Sequence, residues 1–253
     1  MTQQKLGSYL SLCTQFYDLI RPEPPEDAYA FYRSYMSNAV GSILEPMCGT
    51  GRFLLPLLQE GFDVHGFDAS EHMLEALHAK AALRHLHPTV WHGFVEDLAK
   101  TEQYGLIFIP SGSFGHIIDL DVVKKSLKVL YEHLSEDGIL VFEAESSKSV
   151  PNQFGIWRGL VCHKPDGKMI IVNRLKTLED SVCHSIDRYE LIDGSQIIQT
   201  EIETFNVRLY DDSSVLINML KTVGFREIRM MNPFDRNSIS DIGAPTIVYE
   251  CKK

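Results

Sequence analysis

Cysteine is scarce and unpaired in pattern. There are five, Cys13, Cys48, Cys162, Cys183 and Cys251, and no C-x-x-C occurs among them. An odd count without paired spacing argues against a disulfide framework or a cysteine-rich zinc site and fits free cytosolic thiols. No run approaches the roughly 18 apolar residues that a membrane helix needs. The opening "MTQQKLGSYLSL" lacks the basic start and apolar core of a secretory leader. These absences predict a cytoplasmic protein with no membrane partner. Basic residues are also in deficit, 24 Lys and Arg against 34 Asp and Glu, for a formal net charge of -10. A general nucleic-acid binder needs a basic face, so a nucleic-acid partner is not expected. No internal repeat or low-complexity tract is present. The 44% hydrophobic and 23% charged residues are ordinary globular values, enough for a sizeable core.

The first clear pattern is helical. Residues 6–19 and 25–38 read as two N-terminal helices, with "RPEPPED" as the turn between them and prolines at the start of the second. Strand and helix signals then alternate. "SILEP" reads as a buried strand, and a helix follows to Glu60 and stops at Gly61. Pro56 is tolerated only early in a helix, so that helix should begin near Arg52 or Phe53. "DVHGFDA" is a second strand, and Ser70 caps the helix after it, with Met73, Leu74, Leu77 and Ala81 on one face. "TVWHGFVEDL" and "YGLIFIPS" read as further strands, 122–134 as a helix and "GILVFEAES" as a fifth strand. The alternation predicts a parallel sheet covered by helices on both faces.

After Pro151 the period changes to two, with turn signals at "PDG" and "DG", which predicts antiparallel strands joined by hairpins. The α/β rhythm resumes with a helix over 211–223 and two last strands, "REIRMM" and "TIVYECKK". The chain therefore divides into a main domain, 1–150 and 208–253, and an inserted β-rich segment, 151–207.

Open parallel sheets bind ligands at the carboxyl ends of their strands. Here those ends carry Glu45 and the loop Met47, Gly49, Gly51; then Asp68; then Glu96 and Asp97; then "PSGSFGH", from Pro110 to His116. A dinucleotide loop wants G-x-G-x-x-G, and Leu54 occupies the third glycine position. No G-K-[ST] follows, which excludes a phosphate-gripping P-loop. Glu45 at the head of the loop repels a phosphate and suits a cationic group. The set fits a ligand with adenine, ribose and a positive amino-acid end.

In these motifs the chain resembles the class I S-adenosylmethionine-dependent methyltransferases. "LEPMCGTGRF" is similar to the family's first motif, E/D-x-G-x-G-x-G, "GFDAS" to its ribose-binding strand end and "FVEDL" to its adenine-binding one. The resemblance implies a Rossmann-like, seven-stranded, mostly parallel sheet with an antiparallel last strand. It also implies S-adenosyl-L-methionine as cofactor. Glu45 would orient the ligand's amino group, and Gly49 and Gly51 would admit the methionine part, with Arg52 beside them. Asp68 would take the ribose hydroxyls. Asp97 would accept from the adenine N6, Leu98 would donate its N–H to the ring, and Glu96 is a further contact. Ala69 and Met73 would pack near the adenosine, Pro110 would line the site, and Tyr17 would close over it. Met47 departs from the family's first glycine, at a position expected to need a tight turn less strictly.

His116 is the candidate base or acceptor ligand, and Ser113, Phe154, Trp157 and Tyr210 are candidate walls of the acceptor pocket. The expected reaction is methyl transfer to N or O of a small-molecule acceptor, with the insertion as lid or homodimer interface. The alternatives are a non-catalytic regulatory protein that binds the same cofactor and, disfavoured by Leu54 and Glu45, a nicotinamide oxidoreductase. His72, His78, His85, His87 and His92 lack the i, i+4 pairing of a zinc site and read as solvated; no metal is expected. Cys48 sits near a helix start, a position that lowers a thiol's pKa.

Overall fold

The computed structural model describes residues 6–99, 101–240 and 244–253; the first five residues, part of the leader argument above, lie outside it. Two sheets organise the chain. The larger has seven strands in the order β10-β11-β5-β4-β1-β2-β3. Its elements are β1 (Ile43–Pro46), β2 (Val64–Asp68), β3 (Thr89–His92), β4 (Tyr104–Ile109), β5 (Leu134–Glu145), β10 (Glu227–Met231) and β11 (Thr246–Lys252). β1 pairs in parallel with both β2 and β4, and β11 runs antiparallel to β5 and β10. Strand order reverses between β1 and β4, which opens a crevice at their carboxyl ends.

The sheet is buried because its strands are nearly continuous apolar runs. β4 is buried along its whole length. Around it lie α1 (Ser11–Ile20), α2 (Glu26–Met36), α3 (Leu54–Gln59), α4 (Glu71–Leu83), α5 (Leu120–Glu132) and α6 (Ser213–Val223). α4 buries Met73, Leu74, Leu77 and Ala81, and the Ser70 hydroxyl accepts from the Met73 N–H at 3.2 Å. α3 starts at Leu54 with Phe53 as its cap, which places Pro56 in the first turn, where its missing N–H costs nothing.

Several boundaries depart from the sequence reading, and three of them have a clear local cause. β3 stops at His92, and Val95–Asp97 form a short 3₁₀ turn instead of more strand. α5 begins at Leu120 because Asp119 caps it, accepting from the N–H groups of Asp121 and Val122. α1 begins at Ser11 rather than residue 6. Tyr9 adopts φ +56°, a left-handed conformation that a right-handed helix cannot continue through.

The second sheet is antiparallel, in the order β6-β7-β8-β9: β6 (Trp157–His163), β7 (Met169–Glu179), β8 (Val182–Asp193) and β9 (Gln196–Arg208). One face packs on α1, where Leu12, Cys13 and Phe16 meet Ile170, Val172, Tyr189 and Leu191. The end of β9 touches the larger sheet's loops. A Cβ on Gly115 would lie 2.9 Å from Val207 Cγ1, so only glycine permits that approach.

Candidate active site

The loop after β1 is bent by three left-handed residues: Met47 at φ +58°, Gly49 at +55° and Gly51 at +76°. Glycine adopts this freely, whereas a methionine there is strained by about 1–2 kcal/mol. The turn at Met47 is thus tighter than the sequence suggested. Gly49 leaves its cavity side open, since an added Cβ would meet only Met73 Sδ, at 3.9 Å. Its N–H donates to Asp68 Oδ2 at 2.8 Å, and the Ser70 N–H donates to Oδ1 at 2.8 Å. Asp68 is thereby fixed between loop and helix. Burial raises its pKa, and those donated hydrogen bonds oppose the rise.

A cavity of about 530 Å³ opens over this loop. Its floor and one wall come from Met47, Gly49, Asp68, Ala69, Met73 and Glu96. Tyr17, Arg21 and residues 6–9 enclose another side. Ser113 and His116 come from the loop after β4, and Thr204, Phe205 and Asn206 from the end of β9.

His116 is held by both ring nitrogens. Nδ1 lies 3.1 Å from the Asn206 carbonyl and Nε2 lies 2.9 Å from the Tyr9 hydroxyl. A carbonyl only accepts, so Nδ1 carries the proton and the Tyr9 O–H donates to Nε2 of the neutral ring. Burial lowers the His116 pKa below its ordinary value, against the partial support of the Asn206 carbonyl. The ring is therefore neutral at neutral pH, with a lone pair on Nε2.

A polar network runs from the interior to the cavity wall at Ser111. Arg52 donates to the Ser111 hydroxyl, and the Ser111 N–H (3.0 Å) and the Tyr32 hydroxyl (2.7 Å) donate to Glu143 Oε1. The Tyr17 ring lies 5.5 Å from the Arg52 guanidinium carbon. Glu45 is buried, its pKa is pushed well up by desolvation, and its Oε2 has no partner among the described residues. Glu45 lies behind the loop and is not among the residues that line the cavity, so its predicted contact with the ligand's amino group would be indirect, through the loop.

Residues 43–138 match the family model described as a methyltransferase domain. A putative methyltransferase of Geobacillus sp. (strain WCH70) is 28% identical over 144 residues, covering 55% of this chain and 58% of that one. The chain spans about half the length of the curated relatives it matches. Among solved structures, an S-adenosylmethionine-dependent methyltransferase from Clostridium acetobutylicum aligns with TM-score 0.78 at 21% identity, over 94% of this chain and 96% of that one. The sugar N-methyltransferase KedS8 from Streptoalloteichus sp. aligns with TM-score 0.75 at 16% identity, over 98% and 96%. At such identities the two structures attest the fold, including the inserted sheet within the aligned length.

Several of the site residues expected from the sequence lie elsewhere. Asp97 is exposed and pairs with Lys125 at 3.2 Å, while its neighbour Glu96 faces the cavity. The Leu98 N–H is used within the turn, donating to the Val95 carbonyl at 3.3 Å. Both displacements follow from the 3₁₀ turn that replaces the end of β3. Gly51 faces away from the cavity, where a Cβ would lie 2.9 Å from Leu77 Cγ. Arg52 and Pro110 stand outside the wall, the latter accepting from the Ser113 hydroxyl at 3.0 Å.

Tyr210 is in the main hydrophobic core. Trp157, 53% exposed, lies on β6 on the face turned away from α1, and Phe154 is likewise no part of the wall. The Cys48 thiol is buried and its pKa is raised, not lowered, because desolvation and the acids Asp68 and Glu45 outweigh any helix-end effect. Among the described residues no cluster of His, Cys, Asp or Glu could hold a metal. Tyr9, Arg21, Phe94, Phe205 and Asn206 were missed. Phe94 adjoins the quoted motif, but Tyr9 and Phe205 meet only through tertiary packing.

Proposed function

We propose that the chain is an enzyme that transfers the methyl group of S-adenosylmethionine to a nitrogen or oxygen of a small-molecule acceptor. One observation carries the reading: a single cavity runs from Gly49 and Asp68 to the Tyr9–His116 pair and is walled by the inserted sheet. The donor supplies a methyl group on a sulfonium, already activated for displacement. The protein's share is alignment and exclusion of water, and alignment is worth roughly 7–11 kcal/mol of barrier.

Asp68 and Glu96 offer carboxylates to ligand hydroxyl or amino groups. Met47, Gly49, Ala69, Met73 and Tyr17 shape the same end, over the Glu45 and Arg52 network. His116 holds its lone pair toward the Tyr9 hydroxyl. A proton leaving an acceptor amine or alcohol reaches Nε2 directly, if the acceptor displaces that hydroxyl, or through it. The neutral ring suits a base, a contribution of about 10²–10⁴-fold. The segment 151–207 acts as a lid, because β9 delivers Phe205 and Asn206 to the cavity. The fold-level likeness to a sugar N-methyltransferase supports amino sugars as the first acceptors to try.

Calorimetric titration with S-adenosylmethionine, its demethylated product and NAD tests the donor end, and binding of NAD alone overturns the reading. A methyl-release assay over amino sugars, other amines and alcohols tests the acceptor end. Tight donor binding with no turnover across that panel favours the non-catalytic regulatory alternative.

A further inference from the structure

The N-terminus of α1 has no cap of its own. Its cap position is Leu10, which supplies no side-chain hydrogen bond. The exposed helix donors are met instead from β9 of the inserted sheet. Glu203 Oε1 accepts from the Leu10 N–H at 3.1 Å, and Glu201 Oε2 accepts from the Leu12 N–H at 2.7 Å. Two residues further along the same strand, the Phe205 ring packs edge-on to Tyr9 at 5.0 Å, and the Asn206 carbonyl holds His116. One strand therefore caps the helix, buttresses Tyr9 and fixes the histidine that Tyr9 bonds.

Tyr9 needs such support. It is a non-glycine residue in the left-handed region, a conformation that persists only where its surroundings enforce it. Its carbonyl accepts from the Ser70 hydroxyl at 2.7 Å, which ties the same residue to the Asp68–Ser70 corner. The hydrogen bonds on its two sides reach the donor end and the acceptor end of the cavity.

We infer that Glu203 is a positioning residue: it clamps residues 6–12 onto the inserted sheet, and so holds the Tyr9 hydroxyl on His116 and closes the N-terminal wall of the cavity. The role of that wall in methyl transfer rests on the proposed function; the clamp itself does not.

The surroundings of Glu203 give the clamp a pH dependence. Glu203 is 1% exposed and its Oε2 has no partner among the described residues. Facing it are Glu201 on its own strand, Asp187 and Tyr189 on β8, Arg174 on β7, and Cys13 and Tyr9 on the N-terminal segment. The one cation of this set, Arg174, is engaged by Asp187. Burial, with Glu201 and Asp187 nearby, pushes the carboxyl up to about 7.

Opening the wall returns Glu203 to water and to an ordinary carboxylate pKa. A group whose pKa is raised in the closed form stabilises that form when protonated, and the stabilisation is lost as pH rises through about 7. Closure therefore weakens about tenfold between pH 6 and pH 8.

Amide hydrogen exchange of the ligand-free protein tests this without any acceptor. Relative to intrinsic exchange rates, protection of residues 6–12 in the wild type is expected to fall about tenfold from pH 6 to 8. Glu203→Gln keeps an acceptor oxygen but cannot titrate, so its protection should be flat over that range. Glu203→Ala should lose protection in 6–12 while β1 and β4 keep theirs. If Glu203→Ala unfolds globally, the Gln variant decides. Wild-type pH dependence in Glu203→Gln, or full protection of 6–12 in a folded Glu203→Ala, overturns the inference. As a functional readout, Glu203→Ala should raise the Kd for S-adenosylhomocysteine severalfold and Glu203→Gln should restore it. Absence of S-adenosylhomocysteine binding in the wild type would count against the proposed function alone and leave the exchange result standing.

Discussion

Asp68 shows how one residue joins two elements and a cavity. Both carboxylate oxygens accept backbone N–H groups, one from the β1 loop and one from the cap of α4. Asp68→Ala leaves the buried Gly49 N–H without its acceptor and removes a carboxylate from the cavity. A hydrogen bond to a charged group is worth about 1.5–3 kcal/mol, so the variant should bind S-adenosylhomocysteine at least about tenfold more weakly, measured by calorimetry. His116 carries the second prediction at this scale. His116→Ala should lower kcat about 10²-fold or more with the true acceptor; unchanged turnover would remove it from the mechanism. The active form is the neutral ring, and burial lowers its pKa. In Glu203→Gln, whose wall does not titrate, kcat should therefore be level at neutral pH and fall only as pH drops below the ordinary histidine value, as a pH–rate profile would show.

Between elements, glycine placement decides what can approach. Gly51 was read as part of the ligand loop, because sequence shows a glycine but not which way its missing side chain would point. In the fold it is the seat of α4 against α3, with Leu77 and Leu55 within 3.0 Å of where a Cβ would be. Gly51→Ala combines a left-handed alanine with overpacking and should cost about 2–4 kcal/mol of stability, seen in denaturant melts.

The end of β3 teaches a related lesson. "FVEDL" has the apolar character of a strand, yet Glu96 and Asp97 are adjacent acids on a 3₁₀ turn. Adjacent turn residues diverge, so one faces the cavity and the other faces Lys125. Residue type marked the pair; only backbone geometry chose between its members.

Across the whole molecule, the inserted sheet has two unlike faces. The inner one packs on α1 and clamps it. On the outer one, Trp157, Leu175 and Ile186 are cross-strand partners in successive pairings, a row of apolar side chains. Cross-strand neighbours share a face. Val161 and Ile202 are also exposed there, at 58% and 63%. An apolar face of this kind suits association between copies, the second of the two roles, lid or homodimer interface, expected of the insertion. Light scattering on the eluting protein should give about twice 28.7 kDa, and Ile202→Lys should return it toward the monomer; a monomeric wild type would refute this.

The sequence by itself determined the strand–helix alternation, the change to antiparallel strands after Pro151 and the acids that follow successive strands. Each is a local property: hydrophobic period, a turn residue, or a side chain at the end of an apolar run. The tertiary structure alone decided which of those acids reach the cavity. It also brought Tyr9, His116, Glu203 and Asn206 together from segments up to 197 positions apart in sequence. No local pattern encodes that meeting, because it depends on how the inserted sheet folds back over α1 and on the close approach that Gly115 allows.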